Sequence, residues 1–313
     1  MTRVCALNPN SFLVVAFAVL LGSCALATAQ PLKPSEGSHF RVATNLILIP
    51  VTVMDARGAI INGLDKEHFT ILDDRQPQAI TAFYAEDAPC SVGIVLDISG
   101  SMKDKLDLEK AAVHTFLESS NPEDNFFLLT VSSSPTVLSR PVNDPGAIEE
   151  IVRSEVAGGS TALYDTIYFA LDRARLQRKA RRALLVISDG MDNHSRYTKQ
   201  DLMRFAVESD AQIYTIAFDD SRSTMKAIQL SGVQRGLAFL DDLAERTGGL
   251  SIRVKEFDNL SAAAGKISRA LRNRYVIGFE TPDTDGSEKW HKVQVKVNLQ
   301  KVNVYARRGY RSR

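Results

Sequence analysis

The apolar positions of this chain fall into two rhythms. Between Arg41 and Ala85 they come as short, β-branched runs: Leu46–Val53, Ile60-Ile61, Phe69–Leu72 and Ile80–Tyr84. Turn residues separate them, notably Asp55-Ala56-Arg57-Gly58 and the Asp73-Asp74 pair at the tip of the third run. That pattern predicts several short strands rather than helices. From Ser91 the rhythm changes. Continuous apolar runs (Val92–Leu96, Phe126–Val131, Ala183–Ser188, Ile213–Phe218, Ser251–Val254) alternate with stretches of helical spacing. The predicted helices begin with the Leu106-to-Leu117 stripe and a short one at Ile148–Val152. They continue over Thr161–Gln177, Lys199–Ser209, Leu237–Arg246 and Leu260–Arg272. Gly248-Gly249 supplies a stop for the fifth. Thr136–Leu138 reads as an edge companion of Phe126–Val131.

Runs that are apolar at every position belong to strands buried on both faces. Their alternation with helices predicts an α/β fold with a doubly wound, mostly parallel sheet. After Arg274 the strand pattern returns. Tyr275–Phe279 is one strand, and Val293, Val295 and Val297 alternate with polar residues in another, with Val302–Ala306 as its expected partner. Neither β-rich flank is large enough to bury a core alone. The expected organisation is therefore an α/β domain over 89–274, inserted into one small, discontinuous antiparallel β domain made of 41–88 and 275–313.

Polar residues at the ends of two apolar segments, and at the start of a predicted helix between them, carry the candidate chemistry. Val92–Leu96 ends in Asp97, followed by Ser99, Gly100 and Ser101. Leu184–Ser188 ends in Asp189-Gly190, and Gly158-Gly159-Ser160-Thr161 opens a predicted helix between them. Carboxylates and hydroxyls are hard oxygen donors suited to a cation such as Mg2+. The carboxyl ends of parallel strands are where open α/β sheets bind ligands. A local alternative exists for Ser101, as N-cap of the following helix with Asp104 three residues on.

In this order the three loops resemble the metal-ion-dependent adhesion site of the von Willebrand factor type A (VWFA) domain, over roughly residues 90 to 275. The resemblance implies a Rossmann-like fold and a metal set of Asp97, Ser99, Ser101 and Thr161, direct or through water, with Asp189 usually acting through water. Asp192 and Asn193 match the continuation of the third loop and are expected to orient those ligands. Mg2+ is the implied ion, with Mn2+ or Ca2+ as alternatives. The implied partner is a protein that presents a Glu or Asp to the open coordination position. The flanked layout, with Gly309-Tyr310 at its tail, resembles the bacterial VWFA-related family first described from acidobacteria.

Composition narrows the remaining classes. In 313 residues, 38 Lys and Arg balance 37 Asp and Glu, which argues against a phosphate-tracking nucleic-acid binder. No Gly-x-Ser-x-Gly or phosphate-loop motif surrounds the serines, and Ser99 stands where an aspartyl phosphatase would need a second Asp. An enzyme is not expected. The five histidines (His39, His68, His114, His194, His291) show no ligand spacing, so zinc is not expected either. The basic run from Arg173 to Arg182 reads as a solvated helix end.

At the N-terminus, Arg3, the apolar stretch Ser11–Leu21 and Ala27-Thr28-Ala29 predict a signal peptide over 1–29, with a linker over 30–40. Leu21-Gly22-Ser23-Cys24 offers a lipobox as the alternative, with a lipid anchor at Cys24. Either way the chain is expected outside the cytoplasm, in the periplasm or cell envelope or secreted, without a transmembrane helix once processed. Cys90 is then left without a bridging partner and reads as a small buried hydrophobe. The expected function is an exported VWFA-domain protein that binds a divalent cation and, through it, an acidic side chain of a protein partner. The alternative is a cell-envelope scaffold with a non-essential metal site, and behind that a metal-dependent hydrolase.

Overall fold

A computed structural model describes residues 44–85, 87–219, 227–255, 259–282 and 289–312. The expected leader, the linker and His39 lie outside the described residues. The N-terminal flank holds β1 (Thr44–Asp55), β2 (Phe69–Asp73), β3 (Gln76–Gln78) and β4 (Ala82–Tyr84). The middle of the chain runs β5 (Cys90–Asp97), α1 (Leu106–Glu118), β6 (Asn125–Val131), β7 (Thr136–Val137), α2 (Pro145–Ser154), α3 (Leu163–Arg175) and β8 (Arg181–Ser188). It continues with α4 (Lys199–Glu208), β9 (Gln212–Phe218), α5 (Ala227–Thr247), β10 (Ser251–Val254) and α6 (Leu260–Arg272). The C-terminal flank adds β11 (Tyr275–Pro282), β12 (Trp290–Val297), β13 (Val302–Ala306) and β14 (Gly309–Arg311).

The middle strands form a six-stranded sheet in the order β10-β9-β8-β5-β6-β7. All neighbours pair in parallel except β7, which runs antiparallel to β6. Every residue of β5 and of β9 is buried, as their unbroken apolar runs require of strands covered on both faces. One face packs against α1, α2 and α6 through Val113, Phe116, Ile148 and Ile267. The other packs against α3, α4 and α5 through Ile167, Leu171, Leu202 and Leu240. The strand order reverses direction at β5, so its carboxyl end lies at the crevice of the sheet.

The two flanks meet in a pair of antiparallel sheets, β13-β1-β11-β4 and β14-β12-β2-β3. Each sheet mixes strands from both ends of the chain: Ile49 pairs with Ile277, and Ile71 with Val295. Their shared core contains Val51, Val53, Phe69, Tyr275, Phe279 and Tyr310. Phe69 sits with its ring centre 5.0 Å from that of Tyr275, and the Tyr275 hydroxyl donates to the Ile61 carbonyl at 2.9 Å.

Four expectations need correction. Val302–Ala306 pairs with β1, not with β12, because β2 and β14 already occupy both edges of β12. Ile60-Ile61 forms no strand; Ile60 makes a single bridge to Met54. The helix expected at Leu237 begins ten residues earlier, at Ala227, where Gly232 and Gly236 interrupt its apolar periodicity. Arg181 is no solvated helix residue. It opens β8, and its guanidinium donates to the carbonyls of Ala88 and Leu271.

Candidate metal centre

β5 delivers Asp97 to the carboxyl end of the sheet, between β6 and β8. The side chain is fully buried. Its Oδ1 accepts the Ser99 N–H at 3.0 Å, and its Oδ2 accepts the Ser188 hydroxyl at 2.6 Å. Ser99 and Ser101 then turn toward each other, with their Oγ atoms 3.2 Å apart. Neither hydroxyl is spent on a helix. Ser99 precedes the short 3-10 turn Gly100–Met102 without a side-chain cap, and α1 starts later, after Lys105, also without one. The alternative of a Ser101–Asp104 cap is thus not realised.

Backbone hydrogen bonds join the second loop to the first. The Gly158 N–H donates to the Ile98 carbonyl at 2.7 Å, and the Gly100 N–H to the Gly159 carbonyl at 3.1 Å. Gly159 has φ +85°, a conformation that L side chains rarely adopt, so glycine suits this reversal. Thr161 is nearly buried and is tied to the third loop at three points. Its N–H donates to Asn193 Oδ1 at 2.9 Å, and its carbonyl accepts the Asn193 and His194 N–H groups at 3.0 Å each.

In the third loop Asp189 is also buried, and its Oδ1 accepts the Met191 N–H at 3.0 Å. Gly190 (φ +77°) follows it, packed so closely on α5 that an added Cβ would lie 2.4 Å from the Gly236 carbonyl oxygen. Asp192 Oδ1 accepts the Tyr164 N–H at 3.2 Å. Asp165, at the start of α3, is a clamp: its Oδ1 accepts the Arg196 and Tyr197 N–H groups at 2.9 Å each. His194 is exposed, with its backbone in the contact to Thr161.

Burial pushes the Asp97 carboxyl up to about 6, the charge of Asp189 adds to the rise, and the Ser188 and Ser99 hydrogen bonds oppose it. A third acid belongs to the same field. Glu109, in the first turn of α1, is fully buried, and among the described residues neither of its carboxyl oxygens has a hydrogen-bond partner. Its carboxyl is held well above the ordinary range by burial, then by Asp97 and Asp189, with Lys105 pulling the other way. The sequence held a signal for it: Glu109 lies on the same helical stripe as Leu106, Val113 and Phe116, where a solvated acid has no place.

The donors fit a small hard cation. Six-coordinate Mg2+ at about 2.1 Å from its oxygens places adjacent ligands about 3.0 Å apart. The two serine hydroxyls stand close to that spacing, at 3.2 Å. The Asp97 carboxyl, whose ionisation is opposed by burial and by the charge of Asp189, is relieved by a positive charge beside it.

Comparison with known proteins agrees with this geometry at the level of the fold. Residues 92–191 match the family model of the von Willebrand factor type A domain. Among solved structures, a von Willebrand factor type A protein from Catenulispora acidiphila matches with a TM-score of 0.50 and 14% identity, over 82% of this chain and 71% of that one. An aerotolerance-related membrane protein from Bacteroides fragilis matches at TM-score 0.46 and 19% identity, over 58% of this chain and 98% of that chain. The von Willebrand factor domain of a type V pili tip protein from Porphyromonas gingivalis matches at 0.45 and 13%, over 59% and 95%. No curated protein matches the chain. Over residues 92–191, then, the chain is similar in sequence to the von Willebrand factor type A family, and its fold is similar to that of a solved protein of that type.

Proposed function

We propose that this is an exported protein whose type A domain binds a divalent cation, Mg2+ by preference, and through it an acidic side chain of a protein partner. The observation that carries the reading is the meeting of three loops at the carboxyl end of β5. Asp97 is anchored but not neutralised there, two hydroxyls stand 3.2 Å apart, and Asp189 lies within reach of the Asp97 charge.

When bound, the ion supplies a hard Lewis-acid centre able to accept a carboxylate oxygen. Asp97 provides one negative charge, while Ser99, Ser101 and Thr161 provide neutral oxygens. Asp189 would act through water, as the resemblance implies, and Asp192 and Asn193 fix the loops that carry these residues. A ligand set with one direct carboxylate leaves positive charge at the centre, which favours an incoming Glu or Asp. Ser101 is exposed and marks the open side of the site. The role read here is recognition rather than turnover.

The test is affinity capture from cell-envelope extract, with the full chain as bait, in Mg2+ and in EDTA, with wild type and Asp97→Ala. Partners lost in both EDTA and the variant support metal-dependent recognition. Identical partner sets in all arms would refute it in favour of a scaffold.

A further inference from the structure

A second group of metal-competent side chains lies in the flanking sheets, built by residues from both ends of the chain. One ligand atom each from Asp73, Asp74 and His291 lies within 4.8 Å of the other two. His291 Nδ1 is 3.5 Å from Asp73 Oδ1 and 3.2 Å from Asp74 Oδ2. Sequence spacing could not show this, because His291 reaches the pair through the β2–β12 pairing.

Each member is oriented by something other than the other two. Asp73, the last residue of β2, is 8% exposed, and its Oδ2 accepts the Tyr310 hydroxyl at 2.9 Å. Its buried Oδ1 has no hydrogen-bond partner among the described residues. Asp74 occupies the two-residue turn into β3, with φ 44° there and 72° at Arg75. Its N–H donates to the Lys292 carbonyl at 2.8 Å and its Oδ1 accepts the Lys292 N–H at 2.9 Å, which leaves Oδ2 toward His291. The imidazole lies flat on the Tyr310 ring, with centroids 5.0 Å apart and planes 12° apart.

The spacing has a chemical meaning. A tetrahedral ion with N and O ligands at about 2.0–2.1 Å places those ligands about 3.3–3.4 Å from one another. The two separations at His291 Nδ1, 3.2 and 3.5 Å, bracket that value. Imidazole nitrogen with two carboxylates suits Zn2+ and its first-row neighbours rather than Mg2+ or Ca2+. A hydroxyl that orients a ligating carboxylate, as Tyr310 does for Asp73, is what such sites use to hold their ligands.

We propose that Asp73, Asp74 and His291 form a second cation site, separate from the Asp97 centre, which takes a divalent transition ion of the Zn2+ type and fastens the β2–β3 hairpin to β12. Three protein ligands leave the fourth position for water or a partner's ligand. An ion held there ties the N-terminal flank to the C-terminal one, and it stabilises the folded chain because the unfolded chain does not hold the three groups together.

The test uses the full chain stripped of metal and then kept in excess Mg2+, which occupies the oxygen site. Co2+ is titrated in and read by visible absorption. The expected result is one equivalent with the intense bands of a four-coordinate nitrogen-and-oxygen site, displaced by Zn2+. His291→Gln should weaken Co2+ by about tenfold or more. Asp74→Asn should do the same while keeping the Oδ1 acceptor for Lys292, on a half-exposed side chain whose loss does not threaten folding. Asp97→Ala should leave the bands intact. Absence of the bands in wild type, their persistence in both β-sheet variants, or their loss in Asp97→Ala would overturn the proposal. The last of these would place the ion at the other centre.

Discussion

Ser188 donates its hydroxyl to Asp97 Oδ2 at 2.6 Å, and the same Ser188 Oγ accepts the Gly190 N–H at 3.0 Å. One hydroxyl therefore couples the acid at the end of β5 to the loop that follows β8, and both are set before any ligand arrives. Ser188→Ala removes a hydrogen bond to a buried charged group and leaves the Gly190 N–H without its acceptor. Unfolding free energy should fall by about 1–3 kcal/mol, and Mg2+ affinity should drop about tenfold. Urea denaturation and titration calorimetry measure the two effects. An unchanged affinity would show that Ser188 does not orient Asp97.

The buried acids give the metal-free chain an inverted pH dependence. Asp97 has its folded value near 6 against an ordinary value of 3.8, and Glu109 is raised as well. The fold therefore retains protons that the unfolded chain releases. Stability is fully present below about pH 4 as far as these groups are concerned, and it is lost as pH rises through their folded values. The Asp97 shift alone corresponds to a loss of order 3 kcal/mol across that window. In EDTA the chain should melt higher at pH 5 than at pH 7, and Glu109→Gln should raise the pH 7 value. Mg2+ should remove most of the difference. A melting temperature that rises from pH 5 to pH 7 in EDTA would contradict the placement of these acids.

Cys90 opens β5 with no exposed surface, and burial pushes its thiol up to about 11. In the native chain Cys90 should resist maleimide at pH 8 and react promptly once unfolded in urea, read by peptide mapping because Cys5 and Cys24 are also present. Because the folded thiol keeps its proton longer than the unfolded one, stability should decline as pH rises from about 9 to 11. Rapid native labelling would contradict the burial.

Gly190 and Gly236 pack backbone against backbone beside the centre. Gly190→Ala places a Cβ 2.4 Å from the Gly236 oxygen and also forces an L side chain to φ +77°. The loop carrying Asp189 has to shift away from α5, at a cost of about 1–3 kcal/mol from the backbone conformation alone. Mg2+ affinity should fall together with stability, whereas Gly63→Ala, with φ +77° but open space around it, should cost stability without touching the metal. Equal Mg2+ binding by both variants and wild type would separate the Gly190 contact from the site.

The α/β core was legible because its signals are local. Val92–Leu96 and Ile213–Phe218 are unbroken apolar runs, and such runs have no alternative to burial on both faces. Asp97, Ser99 and Ser101 were legible because they follow one of those runs within a few residues. What stayed hidden was set by distant pairing. Nothing within Val302–Ala306 says that β1 rather than β12 will take it, since the choice depends on which edges β2 and β14 fill. His291 looks isolated in sequence and acquires Asp73 and Asp74 only through the register of β2 on β12. Glu109 was visible on an apolar stripe, but its meaning depends on the two aspartates that the sheet brings beside it.

The most direct measurement is Mg2+ titration calorimetry on the metal-free full chain, comparing wild type with Asp97→Asn and Thr161→Ala, with circular dichroism confirming that each remains folded. Wild type should bind one Mg2+ per chain, Asp97→Asn none detectable, and Thr161→Ala with an affinity about tenfold or more weaker. Wild-type affinity retained in both folded variants would contradict a single shared site, because the two residues come from separate loops that are claimed to hold the same ion.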